Sequence, residues 1–160
     1  MSLETDFAMT RESLKGVQDE STYGGITSFM RRRYSRDLSG AGGAVLGVRF
    51  DLAATSRAGT RLGPRGRRTA SASLSWENQV QGWDFSPLEE LAIVEYGDCP
   101  FDAGTPDKVP EQIYQQARDI LATDTALLSL GGDHFVSYPL LRAHAEKYGP
   151  LALIHFDAHS

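Results

Sequence analysis

Four short apolar runs stand out in the hydrophobic pattern of this chain. They lie at residues 44–48, 91–96, 125–130 and 151–156. Apolar runs of this length, bounded by glycine, proline and aspartate, predict buried strands. The third run is apolar nearly throughout, as expected for a parallel strand covered on both faces. We expect the fourth run to be a buried strand of the same kind.

Longer stretches between these runs predict helices. We expect them from about Pro64 to Ser75, from Pro106 or Pro110 to Leu121, and from about Val136 to Tyr148. The second has the clearest apolar stripe at helical spacing. Its members are Val109, Ile113, Ala117, Ile120 and Leu121. Strands that alternate with helices in this way predict an α/β fold with a parallel sheet.

The first part of the chain has a different character. Residues 1–43 show little periodicity and end in a glycine-rich run. We expect an N-terminal arm over 1–43 that packs on another surface, including that of a second subunit, and an α/β domain over 44–160. The arm contains Arg31-Arg32-Arg33, a run that resembles a patch binding phosphate or nucleic acid. Because the whole chain is acidic, we interpret this run as a solvated or subunit-facing turn.

Composition narrows the classes of partner. The net charge of −5 disfavours a general nucleic-acid-binding surface, so we expect no nucleic-acid partner. No apolar run approaches the length that spans a membrane, so we expect no membrane partner. The only cysteine, Cys99, cannot form an internal disulfide, which fits a cytoplasmic location.

Residues that can bind a metal follow two successive strands of the predicted sheet. His134 comes just after the third strand, and Asp157 and His159 come at the end of the fourth. Asp157 and His159 leave a continuing strand on the same face, because they are two residues apart. The carboxyl ends of parallel strands meet at one edge of a sheet, so the three side chains should converge there. Imidazole and carboxylate without thiolate suit Mn, Zn, Fe or Ni.

Two neighbouring side chains receive other interpretations. Asp133 directly precedes His134, and we expect it to make a contact that supports the turn or a ligand rather than to bind metal. His155 lies within the predicted fourth strand, two residues before Asp157. We interpret His155 as a core histidine or as a partner of a metal ligand.

Several motifs taken together resemble a known family. Gly-Gly-Asp-His at 131–134 and Asp-Ala-His at 157–159 resemble the G-G-D-H and D-A-H-x-D patterns of the ureohydrolases, which include arginase and agmatinase. The loop at 57–64 resembles the R-x-G-x-x-x-G-P loop of that family. Residues 74–78, Trp83 and Gly97-Asp98 are more similar to bacterial agmatinases than to arginases. The resemblance runs from about residue 44 to residue 160.

The resemblance implies a three-layer α/β/α sandwich with a parallel sheet, present here in incomplete form. It also implies a centre with a pair of Mn²⁺ ions, in which His134 binds one ion, Asp157 bridges both and His159 binds the other. In this family a metal-bridging hydroxide attacks the guanidinium carbon of a small guanidino substrate. Agmatine would then give putrescine and urea. Members are commonly oligomeric, which implies a homo-oligomer.

The resemblance also implies that much of the site lies beyond Ser160. The family pattern needs an aspartate after D-A-H-x, then a D-x-D pair, a proton-shuttling histidine and a glutamate for the guanidinium. We therefore expect this chain to be the N-terminal half of a longer enzyme and to be inactive alone.

Other functions stay open from sequence. Guanidinobutyrate or guanidinopropionate carries a carboxylate where agmatine carries an ammonium, and Arg57 or Arg61 could bind that anionic end. The chain could instead be a non-catalytic fragment. A mononuclear metal hydrolase could also use His134, Asp157 and His159 together with water, since catalytic zinc often has only three protein ligands.

Overall fold

The computed structural model describes residues 5–17, 20–76 and 82–158. The strands of the sheet are β1 (Gly43–Val48), β2 (Ile93–Asp98) and β3 (Ala126–Gly131). The α-helices of the described residues are α1 (Phe7–Thr10), α2 (Gly63–Ser71), α3 (Pro87–Glu90), α4 (Val109–Leu121) and α5 (Ser137–Tyr148). Short 3₁₀ turns cover Phe29–Arg31, Thr60–Leu62, Ala72–Trp76, Pro106–Lys108 and His134–Val136.

The sheet is parallel, with β1 in the middle of the order β2-β1-β3. Gly43 at the start of β1 pairs with Ile93 on one side and with Ala126 on the other. All three carboxyl ends therefore meet at one edge, as parallel strands joined by crossovers require. The predictions of a parallel sheet and of its first three strands are confirmed, with shifts of one or two residues at the strand ends.

Helices cover both faces of the sheet. Leu46 and Val48 of β1 join the main core with Ile113 of α4, and all three side chains are fully buried. Gly47 lies between them and points to the opposite face, because side chains alternate along a strand. A methyl group built on Gly47 would meet Pro64 and Arg68 of α2. The sheet therefore lies between α4 and α2, in an incomplete three-layer α/β/α arrangement.

The outer edge of β2 is covered by the N-terminal arm. Tyr34 bridges Glu95 in parallel register, where the Glu95 N–H donates to the Arg33 carbonyl at 2.9 Å and the Ser35 N–H donates to the Glu95 carbonyl at 3.1 Å. The arm thus packs on the sheet of its own chain. The backbone of the arm forms hydrogen bonds with N–H and C=O groups of β2 that would otherwise be exposed at the edge of the sheet.

The interpretation of this run as a solvated or subunit-facing turn is wrong for Arg31 and Arg32, because both side chains are almost fully buried within this chain. Arg31 Nη2 donates to the carbonyls of Ser21 and Gly24 at 2.8 and 2.7 Å, and Arg32 Nη2 donates to that of Gly16 at 2.8 Å. Burial lowers the pKa of Arg32 to about 10. The described residues of the arm form no strand pairs with one another, and these guanidinium groups donate hydrogen bonds to arm carbonyls instead.

The predicted fourth strand does not form. Residues 151–157 have no regular secondary structure, and Ile154 and Phe156 are 82% and 92% exposed. A cavity of about 480 Å³ separates this segment from β3 and α5, with Leu127, Leu140 and Leu153 among its lining residues. A parallel strand is stabilised by cover on both faces, and no described residue covers the outer face of this segment. The apolar run alone does not supply that cover.

Residues 77–81 of the predicted loop with the two tryptophans lie outside the described residues. Within the described ranges, no helix is both long enough and apolar enough to cross a membrane.

Candidate metal centre

The turn after β3 is pressed against the end of β1. The Gly132 N–H donates to the Val48 carbonyl at 3.1 Å, and the Asp133 N–H donates to the Phe50 carbonyl at 2.9 Å. A methyl group on Gly132 would lie 2.4 Å from the Val48 oxygen and 2.6 Å from the Phe50 oxygen. Only a residue without a side chain fits this approach. The position of the turn is therefore fixed by the backbone of the central strand.

Asp133 holds the same turn from inside. Its buried carboxylate caps the 3₁₀ turn His134–Val136, because Oδ1 accepts from the Phe135 N–H at 3.1 Å. Oδ2 accepts from the Ala53 N–H at 2.8 Å, which ties the turn to the loop after β1. The sequence-based prediction that Asp133 supports the turn agrees with these contacts. These hydrogen bonds fix the backbone from which the next side chain, His134, projects.

His134 and Asp157 lie together at this edge of the sheet. His134 Nδ1 is 3.2 Å from Asp157 Oδ2. His155 Nε2 is 3.3 Å from the same carboxylate oxygen, and the two imidazole centroids are 5.0 Å apart. One ligand atom from each of the three residues lies within 4.8 Å of the others. His159, the remaining predicted ligand, lies outside the described residues.

The donor set fits a divalent transition metal. Two imidazole nitrogens and one carboxylate oxygen are the ligand types of Mn, Zn, Fe and Ni sites, and no thiolate takes part. The His134 and His155 side chains are about half exposed, at 52% and 49%, whereas the Asp157 side chain is 20% exposed. An ion can therefore reach the cluster from solvent.

His155 lies at the cluster, where the sequence analysis did not count it among the metal ligands. Of the two interpretations of His155, that of a core residue is wrong, because the side chain is half exposed. That of a partner of a metal ligand agrees with its distance of 3.3 Å from Asp157. A usable signal was present, because His155 and Asp157 have the two-residue spacing that places Asp157 and His159 on one face of an extended chain. The apolar neighbours of His155 favour a strand interior instead.

The loop after β1 is organised by a second buried carboxylate. Asp51 accepts from the Gly59 N–H at 2.6 Å, from the Thr60 hydroxyl at 3.2 Å and from Arg61 Nη1 at 3.0 Å. The hydrogen bond from the Gly59 backbone is the main cause that lowers the pKa of Asp51 below its usual value. The charge of Arg61 is therefore largely matched within the loop, whereas Arg57 is exposed.

The lowered pKa of Asp51 predicts that the stability of the fold depends on pH. A carboxyl group with a lowered pKa in the folded state stabilises the fold above its unfolded pKa, here 3.8, and loses that effect as the pH falls through the folded value. We expect Asp51→Asn to be less stable than the parent in urea unfolding at about pH 6, and the difference to shrink at about pH 3. The exposed Asp84→Asn is the control, with no expected change. An equal difference at both pH values would contradict the assignment.

Comparisons with known proteins identify the family of this site. The model of the arginase family matches residues 41–160, a range that contains the whole cluster. The chain belongs to the arginase family. It is 54% identical over 155 residues to the agmatinase of Chromobacterium violaceum, a match that covers 96% of this chain and 48% of that protein.

Solved structures of arginase-family proteins agree with the fold. A crystal structure described as a hypothetical agmatinase from Burkholderia thailandensis superposes with a TM-score of 0.93 at 51% identity, covering 99% of this chain and 50% of that one. The proclavaminate amidino hydrolase of Streptomyces clavuligerus gives a TM-score of 0.75 at 32% identity, covering 88% and 46%. This chain spans about half the length of the relatives it matches.

Proposed function

We propose that this chain is the N-terminal half of a manganese-dependent ureohydrolase that hydrolyses agmatine to putrescine and urea. The observation that supports this most directly is the approach of His134 to Asp157, at 3.2 Å, in a chain of the arginase family. The choice of agmatine rests on two relatives above 50% identity, one described as an agmatinase and one as a hypothetical agmatinase. A cytoplasmic location and a homo-oligomeric state belong to the same proposal.

The residues of this chain would hold and orient the metal. His134, Asp157 and His159 would provide nitrogen, oxygen and nitrogen ligands. A pair of bound manganese ions would lower the pKa of water to near neutrality and polarise an otherwise unreactive carbon. Asp133 would keep the direction of His134 through its hydrogen bonds to the Phe135 and Ala53 backbone. Gly132 would let this turn lie close enough to β1 for the ligands to meet.

The alternative substrates carry a carboxylate and would need a free cation at the mouth of the site. Arg61 is a weak candidate, because Asp51 binds its guanidinium at 3.0 Å. Arg57 is exposed and stays a candidate. If Arg57→Ala leaves the ratio of the kcat/KM values for agmatine and guanidinobutyrate unchanged, Arg57 does not bind the carboxylate of the substrate.

Urea release by the protein encoded by the complete reading frame tests the proposed activity. After manganese loading we expect urea from agmatine. His134→Ala should lower kcat/KM by at least about 100-fold, because even the loss of a residue that hydrogen-bonds to a metal ligand typically lowers activity 10–100-fold. His144→Ala is the matched control, because the His144 ring contacts the Leu140 carbonyl of its own helix at 2.8 Å. We expect the 160-residue chain to release no urea. Full activity of His134→Ala, or no urea from any guanidino compound, would refute the proposal.

A further inference from the structure

His155 occupies a position that the family resemblance does not assign to the metal. Its Nε2 atom and His134 Nδ1 approach the same oxygen of Asp157, from two different segments of the chain. His134 is fixed by the turn after β3, whereas His155 and Asp157 lie two residues apart on the irregular segment 151–157. The cluster therefore joins a ligand in the turn after β3 to two residues of a segment without regular secondary structure.

Two distances in this cluster, both from Asp157 Oδ2, are compatible with those between ligands of one ion. Donors at about 2.0–2.1 Å from a metal are separated by about 3.4 Å in tetrahedral geometry and by about 2.9 Å when adjacent in octahedral geometry. The observed separations from Asp157 Oδ2 are 3.2 Å for His134 Nδ1 and 3.3 Å for His155 Nε2. These values lie between the two geometries. The two histidine side chains are half exposed and can adjust to an ion.

We propose that this chain by itself binds one divalent transition-metal ion through His134, Asp157 and His155, with His155 as the third protein ligand. The inference rests on the proposed function, because it concerns the same centre. Three protein ligands leave further positions for water, the arrangement of an open metal site. The ion would also tie segment 151–157 to the turn after β3, since His134 is its only ligand outside that segment.

The chemistry of the ligands selects the class of ion. Two imidazoles and one carboxylate favour Co²⁺, Zn²⁺ or Mn²⁺ over Ca²⁺ and Mg²⁺, which prefer sets of oxygen ligands. Co²⁺ is the best probe, because the intensity of its visible absorption reports the number and geometry of its ligands. Binding requires neutral imidazoles, so the titration belongs near neutral pH or above.

Titration of the 160-residue chain with Co²⁺ tests the inference without any measurement of activity. We expect one ion per chain, a visible absorption band, and at least a tenfold weaker affinity in His155→Ala. His144→Ala is the control histidine and should bind like the parent. Because His155 is half exposed on an irregular segment, its replacement should leave the far-ultraviolet circular dichroism unchanged. Unchanged Co²⁺ affinity in His155→Ala, or no Co²⁺ bound by the parent chain, would overturn the inference.

A further variant separates this site from its nearest alternative. If His159→Ala weakens Co²⁺ binding and His155→Ala does not, the third ligand is His159 and the inference is wrong. The outcome is also independent of the proposed activity. Urea release by the longer protein together with unchanged affinity in His155→Ala refutes only the role of His155. His155-dependent binding together with no urea release refutes only the proposed hydrolysis.

Discussion

Replacing Arg68 by methionine is expected to lower the free energy of unfolding by about 3–5 kcal/mol, because it removes one partner of a buried ion pair. Arg68 Nε and Nη2 donate to the two carboxylate oxygens of Glu95, each at 2.8 Å, and Nη1 donates to Asp98 at 2.6 Å. Burial opposes the charge of Arg68, but its hydrogen bonds to Glu95 and Asp98 outweigh that cost and raise its pKa. The Glu95 side chain is only 4% exposed, so its charge would remain in the interior without a cation.

The same carboxylate also joins the arm to the sheet. Glu95 accepts from the Phe29 N–H at 3.0 Å and from the Gly97 N–H at 2.8 Å. We therefore expect the loss of Arg68 to loosen the arm as well as helix α2. Small domains are stable by only about 5–15 kcal/mol, so the change is a large share of the total.

Urea unfolding with a matched control measures this effect. Arg67→Met removes an exposed cation from the same helix and should change stability by no more than about 0.5 kcal/mol. The double variant Arg68→Met with Glu95→Gln should recover part of the loss, since no uncompensated charge is then buried. Equal stability of Arg68→Met and Arg67→Met would show that the ion pair contributes little.

Sequence patterns predict the features that depend on neighbouring residues along the chain, such as helices and turns. The stripe of α4 was recognised because Ile113 and Ile120 are spaced for one face of a helix, and both are fully buried. Gly131 and Gly132 marked the turn that presents His134. The hydrophobic pattern does not define where elements end. The predicted helix from Pro64 to Ser75 is an α-helix to Ser71 followed by a 3₁₀ turn.

Interactions between distant segments left no such pattern. Nothing in the polar sequence of α2 indicates that Arg68 pairs with Glu95, and the run Arg31-Arg32 gave no sign that its partners are carbonyls of the arm. The last apolar run shows the same limit, because its residues have strand character but the described chain offers no second neighbour to cover them. His134 and Asp157 do approach each other, at 3.2 Å. The sequence predicts this approach from a fourth strand that does not form, so the prediction holds for these two residues although its premise fails.

The second large effect is expected at Gly132, where alanine should destabilise the fold and weaken metal binding together. The added methyl group would lie 2.4 Å from the Val48 oxygen, 2.6 Å from the Phe50 oxygen and 3.0 Å from the Phe50 nitrogen. All three atoms belong to the backbone, so no side chain can rotate away. Overpacking of this kind typically costs about 1–3 kcal/mol. The turn must move outward, and His134 moves with it.

Two alanine controls separate crowding from a general effect of replacing glycine. Gly66 lies inside α2 with no atom within 4 Å of an added methyl group. Gly66→Ala should therefore raise stability, by up to about 1 kcal/mol, because alanine favours the helix. At Gly131 the methyl group would meet only Val136 Cγ2, at 3.4 Å, which predicts a smaller loss than at Gly132. Among the three variants, Gly132→Ala should have the lowest free energy of unfolding in urea and the weakest affinity for Co²⁺. Parent-like Co²⁺ affinity in a destabilised Gly132→Ala would mean that the ligands do not depend on the position of this turn.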